Sequence, residues 1–98
     1  KLDSSIALVN KVLSSNPLDH TAWNLRSELN LKSDNPTNAI YDLSQSLDIK
    51  PNQPDVYFSR AEIRYNSGDK SGACHDWKKA LRYGHRKALD MLYKYCDY

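Results

Sequence analysis

Shifted against itself by 34 residues, the chain aligns with itself without a gap over 20–51 and 54–85. Arg26 meets Arg60, Glu28 meets Glu62, Ser33 meets Ser67, Ala39 meets Ala73, Asp42 meets Asp76 and Leu47 meets Leu81. Trp23 with Tyr57, Leu29 with Ile63 and Leu43 with Trp77 are conservative matches. The first seventeen residues fit the same frame against 35–51, with Ile6 on Ile40, Leu13 on Leu47 and Pro17 on Pro51. A fixed period of that length implies stacked helical hairpins, each unable to bury its apolar face alone.

Local signals fall at the same places. Asn16-Pro17 and Lys50-Pro51 end two helices, because the residue before proline resists the α region. Asp34-Asn35-Pro36 reads as a cap followed by a first-turn proline, and Pro54 opens another helix. Ser67-Gly68-Asp69 combines a glycine stop with a new cap, and Gly84 ends the next helix. These signals predict helices over 2–15, 19–32, 36–49, 54–67, 70–83 and 86–96. Apolar spacing agrees: Ala22, Leu25 and Leu29 form one stripe, Ala39, Ile40, Leu43 and Leu47 a second, and Ala73, Trp77, Ala80 and Leu81 a third. Trp23, Tyr57 and Trp77 are assigned to packing.

With 98 residues, 40% hydrophobic and 27% charged, one small domain with a thin core is expected over 1–98. It divides into 1–18 as the second helix of a truncated repeat, 19–53 and 54–85 as repeats, and 86–98 as a capping helix. No run approaches the eighteen apolar residues of a membrane span. The chain starts at Lys1 and is read as a fragment, so Leu2, Ile6 and Val9 are expected to be exposed and to permit self-association.

These residues carry a family resemblance. The chain resembles a tetratricopeptide repeat array over essentially its whole length. The match is best in PDVYFSRAEIRYNSGDKSGACHDWKKALRY, residues 54–83, with Tyr57, Ala61, Gly68-Asp69, Ala73, Trp77 and Ala80 in place. Ser27 and Ser46 depart from the small Gly or Ala of the pattern, and Asp34 replaces the loop glycine. The tail GACHDWKKALRYGHRKALDMLYKYC also resembles the C-terminal repeats of some exported bacterial proteins. The resemblance implies an all-α right-handed superhelix of antiparallel hairpins, about six helices with a C-terminal cap.

It also implies that the first helix of each hairpin lines a concave groove. Helical spacing then selects Thr21, Asn24, Glu28 and Leu31 on one such helix, and Asp55, Phe58, Glu62 and Tyr65 on the next. Asn24, Glu28, Asp55, Phe58, Glu62 and Tyr65 are the candidate partner-binding residues, with Phe58 and Tyr65 as surplus apolar surface. Chaperone-binding members of the family hold a peptide carboxylate with Lys, Arg and Asn. Here Asn24 stands among Glu28, Asp55 and Glu62, which favours a partner segment bearing Lys, Arg or a free amine. The expected function is a scaffold for a protein or peptide partner. The alternatives are a structural C-terminal cap, or an acidic-partner or nucleic-acid binder.

That last alternative rests on charge. Residues 1–49 hold four basic and six acidic side chains, whereas 50–98 hold ten and six. The excess gathers in Lys78, Lys79, Arg82, Arg86, Lys87 and Lys94. Repeated Arg26/Asp42 and Arg60/Asp76 suggest ion pairs within or between hairpins.

No enzyme, metal site, cofactor or small-molecule substrate is expected. Glu28 and Glu62 are repeat equivalents rather than a catalytic pair, and His20, His75 and His85 lack metal-ligand spacing. Cys74 and Cys96 lie eleven residues either side of His85, next to the Gly84 turn, so an antiparallel helix pair brings them level. A disulfide would close a loop of roughly 20 residues and stabilise by about 3 kcal/mol; two buried thiols are the alternative. A disulfide favours an exported or periplasmic location over a cytoplasmic one.

Overall fold

The computed structural model describes residues 1–98 and contains six helices and no strand. They are α1 (Leu2–Ser15), α2 (His20–Lys32), α3 (Pro36–Ile49), α4 (Pro54–Asn66), α5 (Lys70–Arg82) and α6 (Lys87–Tyr95). The chain divides into two compact units, Lys1–Pro51 and Asn52–Tyr98. In the first, α2 packs on α1 and α3; in the second, α5 packs on α4 and α6.

Helix ends are built from short-range chemistry. Asp19, Asn35 and Asp69 are N-caps, accepting from the backbone N–H of Ala22, Asn38 and Gly72 at 3.2, 3.3 and 2.9 Å. The Asp19 carboxylate also accepts from the Thr21 hydroxyl at 2.6 Å. That bond first, and the Ala22 amide second, hold its pKa below the ordinary value. Pro36 and Pro54 occupy first-turn positions where no N–H is needed.

Three C-termini share one closure. Asn35, Asp69 and His85 donate their backbone N–H to the carbonyls of Asn30, Arg64 and Ala80 at 2.8, 2.8 and 2.9 Å. Asp34, Gly68 and Gly84 donate to Leu31, Tyr65 and Leu81 at 3.0, 3.1 and 3.0 Å. This pairing needs a left-handed residue at the bend. Gly68 and Gly84 supply it at φ 94° and 105°, and Asp34, the repeat equivalent of Gly68, adopts φ 59°. The missing loop glycine therefore changes the cost of the turn, not its shape.

In the first unit the core joins Val9, Leu13 and Ala22, with Trp23 and Leu29 against them. Ala39, Leu43 and Leu47 are buried on α3. Val9 is thus buried, against expectation. The exposed large apolar residues of α1 are Leu8 and Val12, at 66% and 45%. Those two stand in repeat register with Asp42 and Ser46, which α3 buries. α1 turns its Val9–Leu13 stripe, the repeat equivalent of the buried Leu43–Leu47, towards α2. In the second unit the core comprises Val56, Tyr57, Ala61, Ile63, Ala73, Trp77, Ala80, Ala88 and Leu92. The fully buried alanines Ala61, Ala73, Ala80 and Ala88 let helices approach closely around Trp77.

Each unit contains one charged bolt within its hairpin. Arg26 on α2 grips Asp42 on α3, with Nη2 2.8 Å from Oδ1 and Nε 3.2 Å from both oxygens, and Asn30 donates to Asp42 at 2.7 Å. Arg60 on α4 grips Asp76 on α5 through two bonds of 2.8 Å, and Arg64 adds a third of 2.9 Å. Asp42 and Asp76 are buried, so these bonds replace the water each carboxylate has lost.

The Cys74 and Cys96 sulfurs are joined, with Cα atoms 6.0 Å apart. The bond ties the residue that ends α6 to the first half of α5. No helix is long and apolar enough to cross a membrane.

Candidate functional site

The six candidate residues fall into three groups. Asn24 and Glu28 lie one turn apart on α2 in the first unit, Asn24 half-buried and Glu28 exposed. Ser27, between them, is buried and donates its hydroxyl to the Asn24 carbonyl at 2.6 Å. Thr21 is occupied at the Asp19 cap, and Leu31 stays exposed.

Asp55 and Phe58 form the second group, with His85 from the α5–α6 turn. The Phe58 ring stacks on the His85 imidazole, with centroids 4.2 Å apart and planes at 10°. His85 Nε2 stands 3.4 Å from Asp55 Oδ1, and the buried Nδ1 has no hydrogen-bond partner. Phe58 therefore spends one ring face inside its own unit and is half-buried.

Glu62 and Tyr65 form the third group. With Asn66, Met91, Tyr95 and Trp77 they line a depression of about 130 Å³ between α4 and α6. Its wall is aromatic. Tyr65 stands 4.6 Å from Tyr95 and 5.8 Å from Trp77, and Trp77 lies 5.7 Å from Tyr95 at 19°. Trp77 is 2% exposed, and its buried Nε1 lacks a hydrogen-bond partner. Glu62 is exposed at this aromatic notch and belongs to no ion pair of the chain. Such a site suits an aliphatic stem ending in a cation: the rings cover the stem, and the carboxylate meets the charge.

Met91, Tyr95 and His85 were not selected by the sequence reading. Met91 and Tyr95 lie one turn apart on α6, a signal that was available. His85 lies outside any helical stripe, so periodicity could not find it. A larger depression of about 300 Å³ in the first unit is lined by Ile6, Asn10, Arg26, Asn30, Asn38, Tyr41 and Asp42. Its polar groups already serve one another: Arg26 donates to Asn10 at 2.9 Å as well as to Asp42. No group of three or more His, Cys, Asp or Glu side chains gathers with metal-binding geometry.

Similarity to known proteins lies in structure rather than sequence. No protein-family model and no curated protein matches the chain. Among solved structures, MamA superposes with a TM-score of 0.80 at 17% identity, over 85% of this chain and 48% of MamA. The chain thus spans about half of that protein's length. The type III secretion translocator chaperone SycD of Yersinia enterocolitica gives 0.88 at 14% identity, over 96% of this chain and 71% of that one. The first TPR of Spaghetti (RPAP3), bound to the HSP90 peptide SRMEEVD, gives 0.80 at 17% identity, over 94% and 80%. The fold is that of a tetratricopeptide repeat protein, all-α and built from helical hairpins.

Proposed function

We propose that the chain is a non-enzymatic scaffold that holds a protein or peptide segment, and that the segment presents Lys or Arg to the α4 face. One observation carries this reading: Glu62, exposed and unpaired, stands at the aromatic depression formed with Tyr65, Asn66, Met91, Tyr95 and Trp77. Asp55 adds a second exposed carboxylate on the same helix. In the first unit, Asn24 and Glu28 on α2 are separate candidate contacts. The peptide-bound Spaghetti structure supports the scaffold role by fold alone, since its peptide is acidic and this face repels carboxylates. The Cys74–Cys96 bond supports an exported setting.

The test is titration of the isotope-labelled chain with a peptide centred on Leu-Lys-Leu. Amide shifts at Glu62, Tyr65, Met91 and Tyr95, lost in Glu62→Lys, are expected. Shifts of those same amides by SRMEEVD instead would overturn the reading. A second reading, a structural cap, is favoured by the stacking of Phe58 on His85, which uses part of the candidate surface internally. Retained α4 amide positions with every basic peptide would select it.

A further inference from the structure

α5 carries a second surface that the scaffold reading does not use. His75, Lys78, Lys79 and Arg82 follow one another at helical steps of three and four, forming one stripe. With Tyr98 they line a depression of about 270 Å³. The Cys74–Cys96 bond holds the tail beside this stripe, one residue from His75, and Tyr93 meets the Tyr98 ring edge-on at 5.7 Å. The tail wall is therefore anchored covalently and by ring packing.

The stripe has no counter-ion of its own. None of the chain's ion pairs includes Lys78, Lys79 or Arg82. Asp76, the one acid on α5, is buried and held by Arg60 and Arg64. The repeat supplies an internal control. At the matching positions of α3 stand Tyr41, Ser44, Gln45 and Asp48, without a single cation, yet that hairpin closes with the same Arg–Asp geometry. The hairpin does not require the cations: Lys79 and Arg82 favour the C-terminal end of α5, whereas Lys78 and Arg82, one turn apart, repel one another. Their clustering is explained by an anion from outside.

We propose that the His75–Lys78–Lys79–Arg82 stripe, walled by Tyr98, docks an acidic segment of a partner protein. The stripe rises about 10 Å along α5, the span of about three residues of extended chain. Carboxylates on such a segment reach successive cations. A single strand of nucleic acid needs a succession of stacking rings along a groove. Here one tyrosine lines the depression, and its ring is already engaged by Tyr93. Arg86, Lys87 and Lys94 do not extend the lining, and Lys94 lies over the Tyr95 ring at 5.3 Å.

The test uses the 98-residue chain, disulfide intact, and two fluorescent probes: a C-terminally amidated hexaglutamate and a dT12 oligonucleotide. At about 50 mM salt, where surface charges act over more than 10 Å, hexaglutamate is expected to bind and to shift amides of 75–82 and Tyr98. Lys78→Glu with Arg82→Glu should weaken it about tenfold or more. Lys32→Glu, on the other unit, should change affinity about twofold at most. Both sets are exposed, so helicity serves as the folding control. Tighter binding of the oligonucleotide to the same stripe would overturn the proposal. So would equal weakening by Lys32→Glu, or hexaglutamate shifts confined to other helices.

Discussion

Replacing Asp76 with leucine isolates what the charged bolt contributes. Leucine leaves no cavity, and because its methyls are bulkier than the carboxylate oxygens a part of the loss is overpacking. What disappears is a fully buried carboxylate that accepts three bonds, two from Arg60 and one from Arg64. The Arg60 and Arg64 side chains, 13% and 24% exposed, lose that carboxylate, and Arg64 is left with the longer 4.0 Å approach to Asp69. Breaking a buried pair from one side costs about 3–5 kcal/mol. Because both arginines keep some access to water, the lower end applies, about 3 kcal/mol. For a domain of this size that lowers Tm by about 12–24 °C. Urea unfolding followed by helical circular dichroism and by tryptophan emission measures it. Replacing Arg60 and Arg64 by methionine as well should recover most of the loss, since the uncompensated charges then vanish. A loss under about 1 kcal/mol, or no recovery in the triple variant, would refute the reasoning. Asp42→Leu is the internal comparison. Its partners are one arginine, 22% exposed, and a neutral Asn30, so its loss should be the smaller.

Further expectations concern the turns and the tail. Asp34→Gly should stabilise by about 0.5–1 kcal/mol, because φ 59° strains a residue with a Cβ; an unchanged or lower urea midpoint would count against the strain. The oxidised chain, unfolded without reductant, should show no reactive thiol, and Cys96→Ser should cost about 3 kcal/mol for a loop of this length; two titrating thiols would refute the bond. Asp19 has its pKa lowered below 3.8 by Thr21 and Ala22, so its contribution is present above 3.8 and is lost as pH falls through the lower, folded value. The Asp19→Asn variant should accordingly lose less stability than the parent between pH of about 6 and about 2, as read from urea midpoints.

The fold was legible because it is written twice. Period, caps and bends are local signals, and Asn35, Pro36, Gly68 and Gly84 act within a few residues of where they stand. Even Asp34 kept its place, since the bend is closed by backbone bonds that an aspartate tolerates at a cost. The site was less legible, because it depends on what meets across helices. A stripe on α4 marks Phe58 as surplus but cannot show a turn histidine stacked on it. Six cations close in sequence read as one cluster. Gly84 reverses the chain between them, so Lys78, Lys79 and Arg82 join His75 and Tyr98 while Lys94 turns to Tyr95. Val9, by contrast, stands on the stripe residue Leu43 in the repeat frame, so its burial against Ala22 was open to the sequence.

Repetition also separates scaffold from site. Positions that agree between the hairpins, Arg26 with Arg60, Asp42 with Asp76 and Ala39 with Ala73, hold the helices together in both. Positions that disagree are free of that duty. Asn24 becomes Phe58 and Leu31 becomes Tyr65, and these exchanges build the aromatic surface of α4. Tyr41, Ser44, Gln45 and Asp48 become His75, Lys78, Lys79 and Arg82, and these build the cationic stripe of α5. Both sets of exchanges fall in the second unit, and they bring different chemistry to its two helices: rings on α4, beside a Glu62 that the repeat shares with Glu28, and cations on α5. A hairpin selected only to close would have no reason to diverge in two directions at once. The divergence is what the two proposed contacts, one with a cationic segment on α4 and one with an acidic segment on α5, would require.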